Sequence, residues 1–176
     1  MAPGVAQRIV VGVVPSPDGR ELRLHYRLDG DIGRLLLPAP SAPRRADRLW
    51  QHTCFEAFLR PVGQESYCEF NFSPSGEWAA WHFTTRRAGM QELEVSVPAM
   101  RYSRYRSCIE LDVKLDTGAW TGTADLGLAA VVEDHDGSLA YWALSHAGNR
   151  PDFHDPKSFR LRLDPTQIAV TAGDAT

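Results

Sequence analysis

The feature that most limits the fold of this chain is the alternation of apolar and polar side chains along short segments. From Cys108 to Leu115, isoleucine, leucine and valine alternate with glutamate, aspartate and lysine, and the segment from Arg20 to Leu28 alternates in the same way. A period of two is typical of a β-strand that buries one face. No segment combines a 3.6-residue period with helix caps, so the sequence predicts an all-β protein.

Turn residues between these segments indicate the type of β-fold. Signals rich in Gly, Pro, Asn and Asp return about every eight to twelve residues, and they separate about ten or eleven predicted strands. Residues 32–37 and 92–97 are among the predicted strands. The pattern favours an antiparallel β-sandwich of the jelly-roll kind. We expect one domain over residues 1–176, because no repeat or second domain divides the chain.

The charge and composition exclude several classes of partner. The formal net charge is −3, and no basic run exceeds the pairs Arg44-Arg45 and Arg86-Arg87, so a cationic surface for nucleic acid is not expected. The longest apolar run is too short to cross a membrane. Residues 1–14 lack a signal-peptide core, and the three cysteines show no CxxC spacing. We therefore expect a cytoplasmic protein.

Two glutamates lie within the most aromatic part of the chain. The segment from Leu49 to Phe83 predicts three strands joined by short turns, and it contains Glu56 and Glu69 in runs that otherwise resemble sheet core. Burying an ionised carboxylate inside a sheet costs a free energy on the order of several kcal/mol, unless the group is paired or borders a cavity filled with water. The two glutamates therefore indicate a binding site.

Strand alternation predicts which side chains share a surface with these glutamates. If Phe55, Ala57 and Leu59 face the core, Glu56 faces outwards. The residues predicted on the same outer surface are Tyr67, Glu69, Asn71 and either Trp78 or Trp81, of which Trp78 is included in the predicted site. Carboxylates, an amide and flat rings suit a saccharide, whose hydroxyls form hydrogen bonds while its C–H face stacks on a ring. The alternative is that the glutamates pair with Arg60, Arg86 or Arg87 and that the tryptophans are core residues.

Three motifs resemble a known group of proteins. They are Leu49-Trp50 followed by Glu56, the run Tyr67-x-Glu-Phe-Asn-x-Ser-Pro74, and Pro151-Asp-Phe-His154. Together they resemble the type 9 carbohydrate-binding modules and the wider DOMON-like superfamily of β-sandwiches, most closely its small stand-alone bacterial members. The resemblance extends from about Arg20 to Leu163.

The resemblance implies roles for individual residues. Trp50 corresponds to a tryptophan that stacks on the sugar, and Glu56 to a glutamate that binds its hydroxyls. A second stacking residue from a late strand has two candidates here, Trp142 and His146. The polar loop that follows, residues 145–157, is predicted to fold over the sheet and to supply donors.

The sequence thus predicts non-catalytic binding of a small carbohydrate or sugar-like ligand, with no cofactor and no metal. The predicted ligand-binding residues are Trp50, Glu56, Glu69, Asn71, Trp78, Trp142, His146, Asn149 and His154. His146 and His154 with Asp152 are possible metal ligands, but their spacing matches no metal motif. The sequence gives no indication of the oligomeric state.

Two alternative functions remain open at this point. The resemblance to DOMON-like domains allows a haem held between Met90 or Met100 and His146 or His154. The paired carboxylates Glu56 and Glu69 also allow a glycoside hydrolase, retaining if they are about 5 Å apart and inverting if they are farther apart.

Overall fold

The computed structural model describes residues 4–117, 122–148, 150–164 and 170–171. Within these residues there are thirteen strands and two short 3₁₀ turns. The strands are β1 (Ala6–Pro15), β2 (Glu21–Gly30), β3 (Arg44–Arg45), β4 (Cys54–Pro61), β5 (Tyr67–Phe72), β6 (Glu77–Phe83), β7 (Gln91–Glu92), β8 (Ala99–Arg104), β9 (Cys108–Asp116), β10 (Ala124–Glu133), β11 (Leu139–Ala143), β12 (Leu161–Leu163) and β13 (Val170–Thr171). The 3₁₀ turns are Leu49–Gln51 and Pro156–Ser158.

The strands form two sheets packed face to face. In the described part of the chain, one sheet has five strands in the order β13-β1-β2-β9-β8, and the other has eight, with β11-β10-β4-β5-β6-β3 as its main path. β12 pairs with β10 and β7 pairs with β6, and the single parallel pairing among these strands is β3 with β6. The predicted all-β sandwich is confirmed. The strand count exceeds the predicted ten or eleven because β3, β7 and β13 are two-residue strands.

The main core lies between the sheets and follows the predicted alternation. Leu22, Leu24, Tyr26 and Leu28 of β2 pack there with the apolar residues of β9. From the eight-stranded sheet, Phe55, Ala57 and Leu59 of β4 and Phe70 and Phe72 of β5 point to the same layer. Burying one such leucine or phenylalanine contributes about 1.5–3 kcal/mol. The inward direction of these residues fixes the outward direction of their strand neighbours.

Two predicted strands are wrong. In residues 32–37 only Leu35 forms a bridge, to Asp134, because this segment crosses from the five-stranded to the eight-stranded sheet. In residues 92–97 the strand ends at Glu92, and Leu93 and Val95 instead pack against the main core. No helix among the described residues is long and apolar enough to cross a membrane.

Candidate ligand-binding site

The outer face of the eight-stranded sheet carries a second apolar cluster. Phe58, Tyr67 and Phe83 belong to it, together with Phe159 from the late part of the chain. Phe159 can lie flat on Phe58, with ring centroids 5.7 Å apart, because Gly127 has no side chain. A Cβ at Gly127 would lie 2.5 Å from the Phe159 ring. This cluster brings the late loop down over the sheet.

A cavity remains beside this cluster, between the sheet and the loops that cover it. Its volume is about 640 Å³, within the range of small-molecule binding sites. We call it the candidate cavity. Its lining residues are Trp50, Glu56, Glu69, Trp81, Phe83, Arg87, Met90, Val131, Tyr141, Arg150, Pro151, Phe153 and His154.

Salt bridges between two loops close one side of the candidate cavity. Arg86 and Arg87, in the turn after β6, both pair with Asp152, and the Arg87 Nη2 to Asp152 Oδ1 distance is 2.8 Å. Arg86 also pairs with Asp155 at 3.1 Å. Arg87 has a φ of +56°, which is uncommon for a residue with a side chain. The two loops are thus held together across the sheet face.

Two buried carboxyl groups lie in the wall formed by the sheet. Glu56 of β4 is 3% exposed and Glu69 of β5 is 6% exposed. The Asn71 Nδ2 donates a hydrogen bond of 2.7 Å to Glu69 Oε1. Among the described residues, no donor is hydrogen-bonded to the Glu56 carboxyl. The Glu69 carboxyl therefore has a hydrogen-bond donor from the protein, whereas the Glu56 carboxyl borders the candidate cavity without one from the described residues.

Burial changes the protonation of this pair. Removal from water raises the pKa of Glu56 well above its usual value, and the nearby Glu69 raises it further. Burial also raises the pKa of Glu69, although the hydrogen bond from Asn71 opposes this. Arg87 lowers both pKa values. The pair thus keeps a proton to higher pH than two exposed carboxyl groups would, with Glu56 as the group more strongly favoured in its neutral form.

His154 is fixed in a chain of polar contacts beside Glu69. The Arg87 backbone N–H donates to the Tyr67 hydroxyl at 3.2 Å, and that hydroxyl lies 2.7 Å from His154 Nδ1. The Tyr67 hydroxyl thus accepts from Arg87 and forms a second hydrogen bond with His154 Nδ1. Nε2 lies 3.6 Å from Glu69 Oε2. Burial and the nearby Arg87 lower the pKa of His154 to about 4, so the ring is neutral near pH 7.

Aromatic rings form much of the remaining wall. Trp50 is 51% exposed in the 3₁₀ turn before β4, although it lines the candidate cavity. Trp81 faces the same space because it pairs with Glu69 in the register of β5 and β6. Tyr141 lies 6.1 Å from Phe153, between ring centroids. An exposed tryptophan at a cavity opening, with other rings beside it, provides flat surfaces for a ligand.

The structure brings four of the predicted site residues together at the cavity. These are Trp50, Glu56, Glu69 and His154. A fifth, Asn71, contributes indirectly through its hydrogen bond to Glu69. The predicted outward direction of Tyr67, Glu69 and Asn71 is also what the structure shows, since Phe70 and Phe72 of that strand point into the main core.

Three predicted site residues lie elsewhere. Trp78 is buried in the main core, with the Arg45 guanidinium 4.5 Å from its ring centroid, because its register partner is the inward-facing Phe72. Trp142 packs half-buried against the same core, and its strand neighbour Tyr141 lines the candidate cavity. His146 is exposed, with its ring 6.4 Å from Phe153 and outside the lining. Asn149 lies outside the described residues.

Several lining residues were missing from the predicted site. Trp81 and Tyr141 could have been found from strand alternation, given one anchored register. Arg87, Met90, Arg150 and Phe153 come from loops without periodicity. Their position depends on salt bridges between distant segments, such as Arg87 with Asp152, which no local pattern indicates.

The described residues do not fit the haem alternative. Met90 and His154 both line the candidate cavity, but both His154 nitrogens are directed at protein groups, Nδ1 at Tyr67 and Nε2 at Glu69. Met100 lies in β8 of the other sheet, and His146 is outside the lining. No group of three or more His, Cys, Asp or Glu residues in the described ranges could hold a metal ion.

Comparison with known proteins supports the fold. No family model matches the chain, and no curated protein matches it. A crystal structure of a candidate carbohydrate-binding protein from Bacteroides uniformis is similar, with a TM-score of 0.59 and 19% sequence identity. The similarity covers 82% of this chain and 73% of that chain. At this identity the likeness establishes a shared β-rich fold, and membership of the DOMON-like superfamily stays a prediction.

Proposed function

We propose that this protein binds a small carbohydrate or sugar-like ligand in the candidate cavity, without catalysing a reaction. The observation that carries the proposal is that one cavity is lined both by Glu56, a buried carboxyl with no hydrogen-bond donor among the described residues, and by Trp50, an exposed ring. A sugar would supply both missing contacts, because its hydroxyls both donate and accept hydrogen bonds and its C–H face is apolar. The similar Bacteroides uniformis structure, described as a candidate carbohydrate-binding protein, supports the same class of ligand.

The wall also explains how such a ligand would be oriented. Glu69 keeps one oxygen on Asn71, while its other oxygen is directed towards His154 and the cavity. A neutral Glu56 can donate a hydrogen bond to one hydroxyl and accept from another. Two adjacent carboxyl groups of this kind suit a pair of vicinal hydroxyls. The rings of Trp50 and Tyr141 would then contact the apolar face of the sugar.

Replacement of Trp50 by alanine tests the proposal. A glycan array identifies a ligand, and titration calorimetry then measures its affinity for the wild-type protein and for Trp50→Ala. We expect the substitution to weaken binding at least about tenfold, equivalent to about 1.4 kcal/mol, because a stacking ring is lost. The matched control is Tyr105→Ala, which removes an exposed ring that follows β8 and lies outside the cavity lining. Equal affinities for the two variants would contradict the proposal.

A glycoside hydrolase is the second candidate function. The raised pKa of Glu56 favours it, because a protonated carboxyl beside a second carboxyl is the arrangement that acid catalysis of glycoside cleavage requires. The two candidates differ in one observable. Release of nitrophenol from aryl glycosides by the wild-type protein, lost in Glu56→Gln, would replace the binding proposal with the enzymatic one.

A further inference from the structure

Glu56 differs from the other carboxyl groups at the candidate cavity. Asp152 forms salt bridges with Arg86 and Arg87, so Arg87 already has an anionic partner. Glu69 accepts from Asn71. The Glu56 side chain is almost completely buried, and no described residue donates to it. A buried carboxyl without a partner is expensive to maintain, so the group is expected to meet its partner in the bound ligand.

The groups that face Glu56 leave it short of positive charge. The groups other than Arg87 that interact electrostatically with Glu56 are Glu69 of β5, Cys54 of its own strand and Tyr26 of the main core, none of which is a cation. Tyr26 donates its hydroxyl proton to the Glu56 carbonyl oxygen at 3.1 Å, so it does not serve the carboxyl. The positive group that acts on Glu56 is Arg87, whose guanidinium already pairs with Asp152. Two carboxyl groups therefore share one wall, and the arginine that acts on both of them is already paired with Asp152.

The rings of the cavity suit a cation as well. Trp50, Trp81 and Tyr141 line the same space as the two glutamates. Indole and phenol faces attract ammonium groups, an interaction worth more in a site shielded from water. Arg150 also lines the cavity, but it is exposed, so solvent and salt reduce its repulsion of a cation held at the buried wall.

We propose that the ligand carries a protonated amine that lies between Glu56 and Glu69, which makes an amino sugar the preferred ligand. The proposal rests on the carbohydrate binding proposed above and specifies its chemical class. Binding of the ammonium group stabilises the ionised form of Glu56, because an adjacent cation favours a carboxylate. Glu56 consequently gives up its proton to solvent when an amino sugar binds, and a neutral sugar produces no such release.

Titration calorimetry with three related sugars tests this inference. D-glucosamine, D-glucose and N-acetyl-D-glucosamine are titrated into the whole protein at pH 6.5, in two buffers with different ionisation enthalpies. We expect D-glucosamine to bind at least about tenfold more tightly than the other two sugars. We also expect it to release up to about one proton per site, seen as a buffer-dependent enthalpy. In Glu56→Gln, checked for folding by its melting curve, both the preference and the proton release should be lost.

The outcomes separate this inference from the proposed function. If D-glucose binds as tightly as D-glucosamine and no proton is released, the amine inference is overturned and carbohydrate binding is retained. Ethanolamine, an amine without a sugar ring, is titrated as a fourth compound. If it binds with proton release while none of the sugars binds, the amine site is supported and the proposed function is overturned. If none of the four compounds binds at millimolar concentration, the amine inference is overturned, and the glycan array then decides on carbohydrate binding.

Discussion

The outer faces of the two sheets carry the same kinds of charged side chain in opposite states. On the five-stranded sheet the charges are exposed and paired with one another, as in Arg101 with Asp112 at 3.0 Å and Lys114 with Glu21 at 2.8 Å. On the eight-stranded sheet, Glu56 and Glu69 are buried beneath loops and aromatic rings. The pKa of Asp112 is lowered, chiefly by its hydrogen bond with His25, whereas that of Glu56 is raised by burial. One face favours charge, and the other favours the neutral form.

Strand register accounts for much of this difference. Asp112 of β9 lies directly opposite His25 of β2 on one side and Arg101 of β8 on the other. Glu56 of β4 lies opposite Asn71 of β5 and Ala129 of β10, neither of which is a cation. Side chains directly opposite each other in a sheet interact most strongly. A carboxylate between a histidine and an arginine has partners within its own sheet, whereas one between an amide and an alanine remains available to a ligand.

The largest expected effect concerns the neutral histidine of the buried face. The folded pKa of His154 is about 4, below its ordinary value of 6.5, so its stabilising contribution is complete above pH 6.5 and is lost as the pH falls towards 4. The difference corresponds to about 3 kcal/mol. We expect His154→Gln to reduce the fall in the free energy of unfolding between these pH values by that order, as measured by urea denaturation.

The matched control for this experiment is on the other face. His25→Gln changes an exposed histidine paired with Asp112, so it should leave the pH dependence closer to that of the wild type. If His154→Gln and His25→Gln reduce the pH dependence of the free energy of unfolding equally, burial of the histidine does not distinguish the two faces.

A second, smaller effect is expected at Glu56 itself. Replacement by methionine keeps a similar volume and removes a buried carboxyl to which no described residue donates a hydrogen bond. We expect Glu56→Met to raise the free energy of unfolding at pH 7 by about 2 kcal/mol, since replacing buried ionisable groups with apolar ones is often stabilising.

The gain at Glu56 should depend on pH. The folded pKa of Glu56 is raised, so its contribution is present below the ordinary value of 4.5 and is lost as the pH rises through the folded pKa. The advantage of Glu56→Met should therefore grow from pH 4.5 upwards, and ligand binding should be lost. A variant less stable than the wild type at pH 7 would show that Glu56 has a structural role.

The contrast between the faces also shows what the sequence could and could not predict. The inward direction of Phe55, Ala57 and Leu59 follows from local alternation, and it correctly placed Glu56 outside the main core. The choice between Trp78 and Trp81 could not be made in this way, because they lie on opposite faces of one strand. Only the pairing of Phe72 with Trp78 and of Glu69 with Trp81 decides it, and that pairing involves a second strand.

The covering of the eight-stranded sheet was less predictable still. The sequence suggests Asp152 as a member of a polar loop and a possible metal ligand, and Arg87 as a possible ion-pair partner of the glutamates. In the structure Arg87 pairs with Asp152 instead, across 65 residues of sequence. Such contacts depend on how loops pack after the sheets have formed, so local pattern carries no information about them.

The smallest effect is expected at Asp112, and it tests the exposed side of the comparison. Its folded pKa is lowered, so its contribution is present above the ordinary value of 3.8 and is lost as the pH falls through the folded pKa. Because Asp112 and its partners are exposed, Asp112→Asn should lower the free energy of unfolding at pH 7 by less than about 1 kcal/mol. The loss should shrink further in about 0.5 M salt, which screens exposed charges but not buried ones.

A loss above about 2 kcal/mol that salt does not change would mean that the exposed ion pairs stabilise the protein as strongly as buried groups do. Cross-strand register would then not be enough to explain why Glu56 has no hydrogen-bond donor among the described residues while Asp112 has two partners.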